Sequence, residues 1–187
     1  MLIFCKISNY CALKVTKVTE ITLLLQFNRN EICMLSKEAL KEKNTQFWTD
    51  FRKSMNKQAS STGRQINWIN YPTGVKDVYM RMEVDAHGVR LCFDVQPKDD
   101  GIRSIIWEQM TELKTLMQAE MGIEAIYLEK SHYWNERLIS RIKWEDNTLN
   151  YFNEEDIPKI IEFLKDKLIR FDKFYQEYKD ILINLTN

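Results

Sequence analysis

The chain has 187 residues, 44% of them apolar and 29% charged, with 27 basic residues balancing 27 acidic ones. That length and composition fit one soluble domain with short additions, and a net charge of zero excludes a global basic field of the kind that gathers nucleic acid. Five Gly and three Pro leave little room for long flexible linkers.

Residues 1–33 differ from the rest. They contain no Gly, Pro, His or Trp, yet carry three of the four cysteines, Cys5, Cys11 and Cys33. Lys6 interrupts the apolar start and no small-residue cleavage site follows, which argues against a signal peptide. The apolar stretch around Leu23–Leu25 is far short of the ~18 residues of a membrane span. The remaining reading is an upstream or disordered extension, with the true start at Met34 and one domain over 34–187. Cys92 is then the one cysteine of the domain. No Cys-x-x-Cys or Cys/His spacing occurs, so neither a structural zinc site nor a disulfide framework is expected. The expected setting is cytoplasmic, with no membrane partner.

Residues 36–57 predict a helix with Ser36 as N-cap. Leu40, Phe47, Trp48, Phe51 and Met55 form its apolar stripe, read as core. Gln58–Gln65 is a polar loop without the Gly-Lys-Ser/Thr ending of a phosphate loop. Three strands and two turns are expected from Ile66 to Gln96. In 78–84, Val78, Met80, Met82 and Val84 alternate with Tyr79, Arg81 and Glu83; in 89–96, Val89, Leu91, Phe93 and Val95 alternate with Arg90, Cys92, Asp94 and Gln96. A loop at Asp85–Gly88 pairs Val84 with Val89, puts every apolar residue on one face and sets Glu83 opposite Arg90. Tyr79 falls opposite Asp94, with Arg81 its diagonal neighbour and expected neutraliser. An earlier loop, Pro72–Gly74, is expected to pair Trp68 with Val78 and Ile66 with Met80, Gly74 supplying the left-handed residue.

A helix is expected over 100–121, capped by Asp99 or Asp100 and stopped by Gly122. A strand near 124–129, a loop through His132, Trp134 and Asn135, and a strand near 137–145 follow, turning at Asp146–Asn147. A final helix over 155–184 tolerates Pro158 in its first turn. At ~1.5 Å per residue it reaches ~45 Å, so it bends around the sheet or offers its end to a partner, for example in a homodimer.

The stretch Phe47-Trp48-Thr49, Phe51, Met55, Ser61, Gly63, Asn67-Trp68-Ile69-Asn70-Tyr71, Thr73-Gly74-Val75-Lys76, Tyr79 and Arg81-Met82 resembles the bacterial domain-of-unknown-function family 4268. Gly101-Ile102-Arg103, Glu108-Gln109, Glu112-Leu113-Lys114, Ser140-Arg141-Ile142, Phe163-Leu164-Lys165 and Asp172-Lys173-Phe174 continue the likeness, which covers 36 to about 182. The resemblance implies a start near Met34 and carries no assigned activity. Some members of the family carry the domain after a nuclease-like domain, and no such partner domain is expected within these 187 residues.

The expected fold is α/β (α+β): a helix, a three-stranded antiparallel meander, a helix, two strands and a long helix. That order is also similar to a restriction-endonuclease-like core. A nuclease on this plan holds Mg²⁺ between acids, and the nearest match is Asp77 or Asp85 with Asp94, Gln96 standing where a lysine is expected. Glu108 and Glu112, one helical turn apart, are a further acidic pair for a metal with Asp94, though solvated helix glutamates beside Lys114 describe them better. His87 and His132 show no acid or nucleophile partner. For nucleic acid, Arg64, Lys76, Arg81 and Arg90 flank Tyr71 and Tyr79. Fold likeness does not establish chemistry, so the leading expectation is a binding or accessory module without catalysis, linked to nucleic acid. The alternative is a Mg²⁺-dependent nuclease.

Overall fold

Alternating apolar residues in two neighbouring strands build the centre of the protein. The structure, a computed structural model, describes residues 36–132 and 138–186. Expectations for residues 1–33, for Met34 and for the loop at Trp134 and Asn135 lie outside the described residues, as does the His132 side chain. Elements run α1 (Lys37–Met55), β1 (Val78–Asp85), β2 (Gly88–Val95), α2 (Asp100–Glu112), α3 (Lys114–Met121), β3 (Ile126–His132), β4 (Leu138–Asp146) and α4 (Ile157–Thr186). The chain divides into two units, residues 1–46 and 47–187. Within the described part of the first unit, the Ser36 hydroxyl caps α1 by accepting from the Ala39 N–H at 3.1 Å.

The second unit holds a four-stranded sheet in the order β1-β2-β4-β3, with every neighbouring pair antiparallel. The β1–β2 register is the expected one: Val84 pairs with Val89, Glu83 with Arg90 and Tyr79 with Asp94. Val78, Val89, Leu91, Phe93, Val95, Ile142 and Trp144 are buried on the core side. There α4 lays an aromatic ridge across them. The Phe171 ring lies 5.6 Å from Phe93, 5.9 Å from Trp144 and stacks on Tyr175 at 5.2 Å. Each buried ring of this size contributes roughly 1.5–3 kcal/mol by leaving water.

Three expectations need correction. Residues 66–71 form no strand, so the pairings of Trp68 with Val78 and Ile66 with Met80 do not exist, and the sheet has four strands where five were expected. Local hydrogen bonding wins here: the Asn67 Oδ1 accepts from the N–H groups of Ile69 at 3.1 Å and Asn70 at 3.2 Å, closing a side-chain turn. The Trp68 indole then donates to the Gln58 carbonyl at 3.0 Å and the ring is buried. Gly74 does take a left-handed conformation (φ 75°), but with Asp77 at φ 59° it shapes a coil leading into β1 and not a hairpin. The helix expected over 100–121 is two helices, because the backbone at Leu113 leaves helical geometry (φ −80°, ψ 1°). Its ends fall as read: Asp99 accepts from the Ile102 N–H, and Gly122 (φ 70°) closes α3.

No helix among the described residues is long and apolar enough to cross a membrane. Gly88 sits at φ 138°, and a Cβ there would lie 2.5 Å from the Asp146 carbonyl oxygen and 2.9 Å from the Asn147 Cα. Neither is a flexible side chain that can yield. Gly88→Ala is therefore expected to destabilise by more than ~1 kcal/mol, seen as a lower urea midpoint with an unchanged slope.

Candidate functional site

Two polar clusters and two hollows are the chemically distinctive parts of residues 47–187. The first cluster lies on the sheet face opposite the core, spanning β1, β2 and β4. Asp94 is fully buried on β2. Pairing with β4 sets it directly opposite Arg141, whose guanidinium grips both carboxylate oxygens, Nε to Oδ1 at 2.7 Å and an Nη to Oδ2 at 2.8 Å. The Arg81 Nε approaches Oδ2 at 3.2 Å, so the expected neutraliser is present but secondary. Gln96 donates to the same oxygen at 3.4 Å. Arg141 reaches onward to Glu83 at 3.0 Å, and Arg90 joins Glu83 at 3.4 Å and Asp85. Burial penalises the Arg141 charge, yet its bonds to Asp94 outweigh that and hold the guanidinium above its ordinary range.

The other acids proposed for metal work stand apart. Asp77 immediately precedes β1 and Asp85 ends it, which sets them about 26 Å apart at ~3.3 Å per residue. Asp77 accepts from the Tyr79 hydroxyl at 3.4 Å. Burial opposes ionisation of Asp85, but the His87 N–H and Arg90 reverse this and hold its carboxyl below the usual range. Glu108 and Glu112 are exposed on α2, away from buried Asp94. Among the described residues, no group of three or more His, Cys, Asp or Glu side chains is arranged to hold a metal. Cys92, beside Asp94, is fully buried, and desolvation with the nearby Glu83 charge pushes its thiol up to about 12.

The second cluster was not legible in the sequence. Asp172, buried on α4, accepts from the Ser60 hydroxyl at 2.9 Å, the Ser61 N–H at 2.6 Å, the Tyr71 hydroxyl at 2.7 Å and the Gln176 amide at 3.2 Å. Tyr71, offered as a base-stacking residue, is thus only 6% exposed. Burial first, and Asp172 second, raise its phenol above the tyrosine range, which keeps it a donor. One turn of α4 further on, Tyr175 donates to the Thr73 carbonyl at 2.9 Å.

These bonds shape the larger hollow. Residues 69–77 run along β1 and leave a groove of about 930 Å³, bounded by residues 69–83 and Trp48. Of the residues offered for nucleic acid, buried Tyr71, Lys76, the 41%-exposed Tyr79 and Arg81 all line it, with the Arg81 guanidinium 4.9 Å from the Tyr79 ring centre. Arg64 is exposed outside the groove, and Arg90 is engaged with its acids. The charges lining the groove are Lys76 and Arg81 against Asp77 and Glu83, so it carries no net positive field.

The groove follows a strand edge that is unpaired among the described residues. The Gln96 N–H donates to the Asp77 carbonyl at 2.8 Å, which makes that pair a hydrogen-bonded one and turns the N–H and C=O groups of the even-numbered residues away from β2. At Val78 they are already used: its N–H donates to Val75 O at 3.3 Å and its carbonyl accepts from the Thr73 hydroxyl at 2.8 Å. At Met80 and Met82 the same parity directs them along the groove, and at Val84 just past its end; no described strand pairs with that side of β1. A smaller hollow of about 200 Å³ shares the lining residue Ile69 with the groove and is bounded by Phe51, Arg52, Gln65 and Trp68 among others.

Asp94→Ala leaves two guanidinium groups beside a buried void and is expected to cost ~3–5 kcal/mol in urea unfolding. Adding Arg141→Met is expected to recover part of that loss. Iodoacetamide at pH 8 is expected to leave Cys92 unmodified in the native protein and to label it in urea, as read by peptide mass spectrometry. A thiol of pKa about 12 is only ~10⁻⁴ thiolate there.

The family model described as "Domain of unknown function (DUF4268)" matches residues 44–179. No curated protein matches the chain, and no solved structure does.

Proposed function

We propose that this chain, which belongs to the DUF4268 family, is a non-catalytic binding module that takes up an extended polypeptide segment by adding it as a strand to the edge of β1 that no described strand pairs. The observation that carries this reading is the edge itself: outward-turned backbone groups at Met80 and Met82 beside a groove of about 930 Å³, and at Val84 just past its end. An extended peptide satisfies such groups by main-chain hydrogen bonding, whatever its sequence. Charge favours the same partner. Two cations and two acids line the groove, whereas a phosphate backbone calls for an excess of Lys and Arg.

Nucleic acid is accordingly the second choice as ligand, with Lys76, Tyr79 and Arg81 its best contacts. The Mg²⁺-dependent nuclease ranks lower, because Asp94 must release Arg141 and Arg81 before it can meet a metal.

The test is Met82→Pro, which deletes one outward N–H on an edge strand where proline is tolerated. Dodecapeptides selected from a random display library are titrated by fluorescence anisotropy against the wild type and the variant. The expected loss is at least tenfold, ~1.4 kcal/mol, with the circular dichroism spectrum retained. Affinity unchanged by Met82→Pro would overturn the reading. So would a failure to select peptides while a single-stranded oligonucleotide binds with steep salt dependence.

A further inference from the structure

The hollow that shares Ile69 with the groove has its own chemistry. Its inner wall is apolar: Phe51 is 0%, Met55 3% and Trp68 5% exposed. Its rim is polar, with Arg52, Asn56, Gln65 and Asn67 all exposed. Arg52 is the one formal charge in that lining. Among the described residues it has no acidic partner, the neighbouring Asp50 pairing with Lys53 at 3.1 Å. The Asn67 Oδ1 is occupied by two backbone N–H groups, so its amide turns donors outward.

At about 200 Å³ the hollow holds roughly seven waters' worth of volume at ~30 Å³ each. That is too little for a drug-sized ligand, which needs ~300–1,000 Å³, and enough for one side chain with its stem. The apolar wall suits methylene groups. A single planar guanidinium with neutral amide donors around it suits a carboxylate, taken through two parallel N–H bonds. A dianionic phosphate would draw on more than one cation.

We propose that this hollow is the subsite for an acidic side chain, glutamate above aspartate, projecting from the peptide strand paired with β1. The proposal rests on the strand-addition reading and gives it a sequence preference. Backbone pairing confers affinity without choice of sequence, and a side-chain pocket beside the strand supplies the choice.

The probe is N-acetyl-glutamate N-methylamide, blocked at both ends so that its only carboxylate is the side chain's. It is titrated at millimolar concentration into the full ¹⁵N-labelled chain while the Trp68 indole N–H is followed by NMR, with the glutamine analogue as control. The expected result is a saturable shift of the Trp68 signal, at least tenfold weaker affinity for the glutamine analogue, and loss of that preference in Arg52→Gln. Arg52 is exposed and has no partner among the described residues, so the variant is expected to fold as the wild type does. Equal effects of the two analogues, or no shift of Trp68, would overturn the subsite. This outcome is separable from failure of strand addition. Peptide binding abolished by Met82→Pro but indifferent to a Glu→Gln exchange would keep the groove and remove the subsite. A glutamate-specific shift with no peptide bound at β1 would do the reverse.

Discussion

A carboxylate held inside the protein by hydroxyl and amide donors, with no lysine or arginine paired to it among the described residues, sets the geometry of the rest. Asp172 gathers Ser60, Ser61, Tyr71 and Gln176 around two oxygen atoms. Each bond satisfies a group that would be costly to bury alone. Together they fasten the polar loop and the 66–77 coil to α4. Tyr175 extends the attachment to Thr73, and Thr73 in turn closes onto Val78 at the start of β1. The groove wall is therefore fixed by the helix, although none of the residues bounding the groove lies on α4.

On the opposite sheet face the ion cluster around Asp94 plays a complementary part. Buried ion pairs seldom raise stability above that of an apolar equivalent, because desolvating both partners is costly. Their geometry does discriminate between registers. A shift of β4 by one residue would move Arg141 to the core face and leave Asp94 with Arg81 alone. The alternating apolar pattern fixes which face of each strand is buried, and the Asp94–Arg141 pair fixes which residues stand opposite each other.

The strands β1 and β2 were legible down to their pairing, because a short loop, a period-two pattern and a Glu83–Arg90 pair all agreed. The helix caps at Ser36, Asp99 and Gly122 were legible for the same local reason. What failed was non-local. Residues 66–71 carry the aromatic and β-branched composition of a strand, but Asn67 turns the chain and Tyr71 answers to Asp172, a partner no local window contains. Arg141 was missed as the main partner of Asp94 because that contact depends on β4 lying between β2 and β3, an order hidden from the sequence. Its alternation with the core residues Ile142 and Trp144, which puts it on the face shared by Lys143 and Glu145, was the available signal. Asp94 itself was placed correctly, beside Arg81.

The bonds from Tyr71 to Asp172 and from Tyr175 to Thr73 span 101 and 102 residues of sequence. A growing chain emerges from its N-terminus at ~5–20 residues per second. The segment that will wall the groove is thus made several seconds before the helix that anchors it. During that interval β1 and β2 can form their hairpin from local contacts alone, with a bare edge and no wall beside it. Strand edges in this condition pair readily with other chains. Completion of α4 does not pair that edge; it fastens the wall beside it, so a later-made helix turns an edge open to any strand into one side of a shaped groove.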